Sequence, residues 1–77
     1  SIKSAVQKTL LEDKRLPEFS DEIIRVNYED GCKVYFEDGF VICRFSGTEP
    51  LLRIFAESTS AVRAKDYINT FKKFLFE

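Results

Sequence analysis

Ile2, Ala5, Val6, Thr9 and Leu10 recur at spacings of three, one, three and one, with Lys3, Gln7 and Lys8 outside the stripe. That spacing predicts an amphipathic helix of about three turns over residues 2–11. Leu16-Pro17 then stops any helix, because the residue before proline is pushed out of the α region and proline lacks a donor. Residues 17–21 read as a connector. Residues 23–28 are β-branched and alternate, with Ile24, Val26 and Tyr28 on one side and Ile23, Arg25 and Asn27 on the other, which predicts a first strand.

Residues 32–45 hold two β-rich runs around Asp38-Gly39, a dipeptide that suits a two-residue hairpin turn. With the turn at Asp38-Gly39, Glu37 faces Phe40, Tyr35 faces Ile42, Val34 faces Cys43 and Lys33 faces Arg44. Cys32, Val34, Phe36, Val41, Cys43 and Phe45 then share one wholly apolar side, the expected core face. In this register Cys32 and Cys43 are diagonal neighbours, a poor position for a disulfide. The other side carries Lys33, Tyr35, Glu37, Phe40, Ile42 and Arg44.

After the polar stretch 46–50, residues 51–57 alternate Leu52, Ile54 and Ala56 against Leu51, Arg53 and Phe55, which predicts another strand. Ser58-Thr59-Ser60 supplies capping hydroxyls for a terminal helix whose stripe is Ala61, Ala64, Ile68, Phe71 and Leu75, widened by Tyr67 and Phe74. The order helix, four strands, helix predicts an α+β two-layer domain, a mainly antiparallel four-stranded sheet with helices on one face.

At 77 residues the chain has room for one hydrophobic core, so residues 1–77 are one domain. The opening Ser1-Ile2-Lys3, without methionine or an apolar leader, reads as part of something longer. Twelve Lys plus Arg against thirteen Asp plus Glu give a net charge of −1, which disfavours a general nucleic-acid module, and a charged fraction of 32% argues against a membrane span. Without histidine, and with two cysteines in unlike contexts, a zinc set and histidine-based acid–base catalysis are both disfavoured. Two cysteines make a weak disulfide framework, so the thiols are expected reduced, as in the cytoplasm.

The chemistry concentrates in residues 44–53. Arg44 and Arg53 offer planar donor forks, Ser46 and Thr48 add hydroxyls, and Gly47 lets backbone N–H groups turn toward an anion. By strand parity both arginines emerge on the non-core side. Glu49 is placed to tether an arginine or the loop, and Pro50 stiffens its exit. Ser-Gly-Thr between strands is also ordinary turn composition, and edge arginines are commonly solvated. Asp30-Gly31 and Asp38-Gly39 read as turns rather than metal loops.

Arg44-Phe45-Ser46-Gly47-Thr48-Glu49-Pro50, followed by Leu51-Leu52-Arg53-Ile54-Phe55-Ala56-Glu57 and preceded by Asp30-Gly31-Cys32-Lys33-Val34-Tyr35-Phe36, resembles the C-terminal domain of the α-D-phosphohexomutases, the phosphoglucomutase and phosphomannomutase group. The match covers residues 30–57; the terminal helix fits in kind. The resemblance implies the TATA-binding-protein-like fourth domain of an enzyme that moves a phosphoryl group between the 1- and 6-hydroxyls of a hexose. It implies that Arg44, Ser46, Gly47 and Thr48 hold the phosphate that is not reacting, with Arg53 assisting. The family's phosphorylated serine, Mg²⁺ loop and sugar-selecting loop match nothing here. The chain alone is therefore expected to be inactive and free of cofactor, with Mg²⁺ in the full-length enzyme and the other three domains and a hexose phosphate as partners. A reading of a different class is a free-standing interaction module that docks protein or single-stranded RNA on Tyr35, Phe40, Ile42 and Phe55.

Overall fold

The computed structural model describes residues 2–45 and 52–76. Helix α1 spans Ile2–Gln7 and continues as a π-helical turn over Lys8–Glu12, in which the Asp13 N–H donates to the Lys8 carbonyl at 2.8 Å. Lys14 ends it in the left-handed region, at φ 52°. The strands are β1, Arg25–Asn27; β2, Cys32–Phe36; β3, Gly39–Phe45; and β4, Leu52–Ser58. Helix α2 follows at Ala61–Phe76. The sheet is an antiparallel meander in the order β1-β2-β3-β4, the expected α+β architecture.

One face of that sheet is the core. Cys32, Val34, Phe36, Val41 and Cys43 are buried there together with Val6 and Leu10 of the first helical segment and Tyr67 and Phe71 of α2. Both helices therefore cover the same face. Phe45, Leu52, Ile54 and Ala56 pack around this set, as strand alternation predicts. Residues 17–21 are more than a connector: the Phe19 ring lies edge-on to Phe36 and Phe71, with centroids 5.0 and 5.6 Å away. The Tyr67 ring stacks on Phe36 at 4.2 Å.

The hairpin register differs from the expected one by two residues. Phe36 pairs with Gly39, Tyr35 with Phe40, Val34 with Val41, Lys33 with Ile42 and Cys32 with Cys43. The turn is Glu37-Asp38, and Gly39 is the first residue of β3. Gly39 serves a close approach: a Cβ there would collide with the Glu57 carbonyl oxygen of β4. A slip of two preserves the side on which every residue lies, so the core face is unchanged while every partner changes. The two cysteines directly oppose one another rather than lying diagonally, and both remain free thiols in the core.

The first strand is also shorter than expected. Ile24 is 62% exposed and Ile23 packs on the core instead, although the Ile24 N–H still donates to the Tyr35 carbonyl at 2.8 Å. Ser60 caps α2, its hydroxyl accepting from the Arg63 N–H at 3.3 Å, which satisfies one of the helix's unpaired donors.

Candidate functional site

Arg44 and Arg53 are direct cross-strand partners near the end of β3 and the start of β4. Their neighbours Cys43 and Ile54 belong to the core side, so alternation sets both arginines on the outer face, where both are exposed. They flank the segment 46–50, whose Ser46, Gly47, Thr48, Glu49 and Pro50 lie outside the described residues. Two cations at directly opposed positions repel one another.

A third residue takes part that the sequence reading treated only as part of a turn. The Asn27 side-chain carbonyl accepts from the Glu29 N–H at 2.8 Å, an Asx turn that bends the chain after β1. Gly31 follows in the left-handed region at φ 85°, and a Cβ there would collide with the Cys43 carbonyl oxygen. This tight passage lays Asp30 beside the end of β3, where Arg44 Nη2 donates to its Oδ2. Both side chains of the pair are well exposed, 57% for Arg44 and 65% for Asp30. Among the described residues Arg53 forms no ion pair. The legible signal was Asp-Gly directly before a strand whose neighbour carries an arginine one residue before its end. Asp30 thus tethers Arg44, while the tether expected from Glu49 lies outside the described residues.

Around the arginines the outer face holds a shallow depression of about 690 Å³ lined by Lys33, Phe40, Ile42, Arg44, Arg53 and Phe55. Further along the face, Lys33 Nζ sits 4.2 Å from the Phe40 ring centroid and 4.9 Å from that of Tyr35, and the Arg25 guanidinium lies 4.4 Å from Tyr35. Arg25, and then Lys33, hold the Tyr35 phenol below its ordinary pKa by favouring its charged form. These two cations are thus engaged with ring faces, unlike the pair on β3 and β4.

The opposite end of the sheet has the reverse polarity. Asp21, Glu22, Glu37, Asp38 and Arg63 line a depression of about 560 Å³. Two of its acids have internal partners: the Tyr67 hydroxyl donates to Asp21, the Thr59 hydroxyl donates to Asp38, and Arg63 lies 3.7 Å from Asp38. Among the described residues no group of three or more acidic or thiol side chains converges on a metal position. The cysteines offer no nucleophile, since burial pushes the Cys32 thiol up to about 11 and that of Cys43 up to about 12. Among the described residues no helix is long and apolar enough to cross a membrane.

Comparison with known proteins adds a family. The profile of the phosphoglucomutase/phosphomannomutase C-terminal domain matches residues 2–73. A phosphoglucomutase/phosphomannomutase of Thermococcus kodakarensis is 43% identical over 53 residues, 69% of this chain and 12% of that protein. A probable phosphoglucosamine mutase of Methanopyrus kandleri is 44% identical over 61 residues, 79% of this chain and 13% of that protein. The matched part thus spans about an eighth of either relative.

Proposed function

The chain belongs to the phosphoglucomutase/phosphomannomutase C-terminal domain family, and from that premise we propose that it grips the non-reacting phosphate of a hexose phosphate while other domains of a longer mutase move the second phosphoryl group. Arg44 and Arg53 supply the charge. Ser46, Gly47 and Thr48 add hydroxyl and backbone donors, and Glu49 and Pro50 support the loop. The observation that carries the reading is the direct pairing of Arg44 with Arg53 across β3 and β4, at the end of the sheet that leads into residues 46–50.

Holding the far phosphate is useful to an enzyme of this class because the reacting hydroxyl sits at the other end of the sugar. Binding energy gathered at the distal phosphate orients that hydroxyl without touching it. Charge-assisted hydrogen bonds are worth about 1.5–3 kcal/mol each, against several kcal/mol for immobilising the ligand. The domain by itself should therefore bind with a Kd on the order of 1 mM, and it should not turn over sugar phosphates.

We assign the Mg²⁺ of such an enzyme to its other domains, because the acidic side chains described in this chain do not converge. A count of two cysteines, too few for a disulfide framework, favours a reducing compartment, the cytoplasm. The alternative of an RNA- or protein-docking module on Tyr35, Phe40, Ile42 and Phe55 is weakened by Arg25 and Lys33, which lie over the ring faces of Tyr35 and Phe40 that a base would need.

The test is a titration of isotope-labelled chain with inorganic phosphate and with glucose 6-phosphate. The amide signals of Arg44, residues 46–49 and Arg53 should move together along a millimolar saturation curve. Absence of any response in that segment at saturating ligand would overturn the reading.

A further inference from the structure

We infer that Asp30 is the resting counter-ion of Arg44, a built-in carboxylate that neutralises the paired arginines before ligand arrives and that an incoming phosphate must displace. The inference rests on the phosphate-binding reading above and adds a residue to it. Three observations carry it. Arg44 and Arg53 face one another directly across β3 and β4, an arrangement that disfavours the sheet unless an anion lies near. The described anion that meets this need is Asp30, bonded to Arg44 Nη2. The pair is also exposed at 57% and 65%, so the carboxylate regains full hydration when it leaves and its release costs little.

Among the described residues Arg44 is held through one guanidinium nitrogen, by Asp30, and a guanidinium carries five donors, enough to engage a second anion as well. A phosphate dianion approaching that free edge meets two guanidinium groups where Asp30 meets one. It outcompetes a single carboxylate, yet it must overcome the negative charge of Asp30 to do so. Asp30 therefore sets the affinity of the site downward and keeps the arginine pair compatible with the empty fold. It is a positioning residue and makes no contact with the reacting end of the sugar.

The experiment compares the unmodified chain with Asp30→Asn, Asp30→Glu and Arg44→Ala, using inorganic phosphate as probe. The exposed pair of surface charges is worth up to about 1 kcal/mol, so Asp30→Asn should tighten phosphate binding about two- to fivefold, while Asp30→Glu should stay near the unmodified value. In the unmodified chain the carboxyl carbon signal of Asp30 should move along the same saturation curve as the Arg53 amide, a response that a purely structural aspartate would not give. Because Asp30 is exposed, an unchanged amide spectrum away from the site will show that Asp30→Asn keeps the fold. Affinity unchanged or weakened in Asp30→Asn, with Arg44→Ala still abolishing binding, overturns the role of Asp30 and leaves the phosphate site standing. Absence of phosphate binding in every form, with the fold intact, overturns both.

Discussion

Gly39 lies so close to β4 that a Cβ on it would meet the carbonyl oxygen of Glu57, and this contact reverses the usual consequence of removing a glycine. Gly39 is not in the left-handed region. In an ordinary strand, alanine would gain roughly 0.5–1 kcal/mol from the lost flexibility of the unfolded chain. Here the added methyl has to push β3 and β4 apart. Gly39→Ala is expected to destabilise by more than 1 kcal/mol, about the size of an overpacking defect, and a urea midpoint equal to or above that of the unmodified chain would contradict the close approach.

The like-charged pair on the outer face predicts a separation of stability from binding. Arg53→Ala removes the repulsion against Arg44 and leaves the Asp30–Arg44 pair intact. Opposed like charges cost roughly 0.2–1 kcal/mol, so the denaturation midpoint should rise slightly while phosphate binding falls at least tenfold. Urea unfolding and the phosphate titration, run on the same sample, check both halves.

Tyr67 joins the core to the acidic end of the sheet: its ring stacks on Phe36 and its hydroxyl donates to Asp21. Tyr67→Phe keeps the ring and deletes the bond to a charged acceptor, an expected loss of about 1.5 kcal/mol. Phe71→Ala, at a site with no exposure, should cost about 3–5 kcal/mol. Thermal or urea unfolding of the two variants should preserve that order.

Three buried acids make the fold sensitive to alkali. Burial raises Cys32 from 9.0 to about 11 and Cys43 from 9.0 to about 12, with the Cys32 charge adding to the latter. Burial, then the Asp21 bond, raises Tyr67 from 10.0 to about 12. Each group is essentially neutral in both states below about pH 8, one unit under the unfolded thiol value. Between that pH and the folded value the unfolded chain loses its proton first, so the unfolded state binds fewer protons and stability falls as pH rises. The melting temperature should hold steady from pH 7 to about 8 and fall increasingly above pH 9, and Cys43→Ala should have a shallower alkaline fall. The same burial predicts that a thiol reagent at pH 8 labels neither cysteine until denaturant is added.

Much of the fold was legible because strand and helix periodicities report faces directly. The core set Cys32, Val34, Phe36, Val41 and Cys43 follows from alternation alone, and Tyr67 and Phe71 follow from the helical stripe. Arg44 and Arg53 were placed on one outer face by the same parity. The hairpin register was not legible, because Asp-Gly is a strong turn signal and nothing local revealed that Gly39 was needed against Glu57. Phe19 was hidden for a related reason: a lone aromatic in a polar connector has no period.

Local pattern therefore determined which residues are apolar-facing, which elements form, and which two guanidinium groups share a surface. Tertiary structure alone decided who stands opposite whom: Cys32 against Cys43, Arg44 against Arg53, and Asp30 folded back by Gly31 onto Arg44. The physical reason is that facing depends only on odd or even position, whereas partnership depends on where the chain turns, and that is set by contacts between strands distant in sequence.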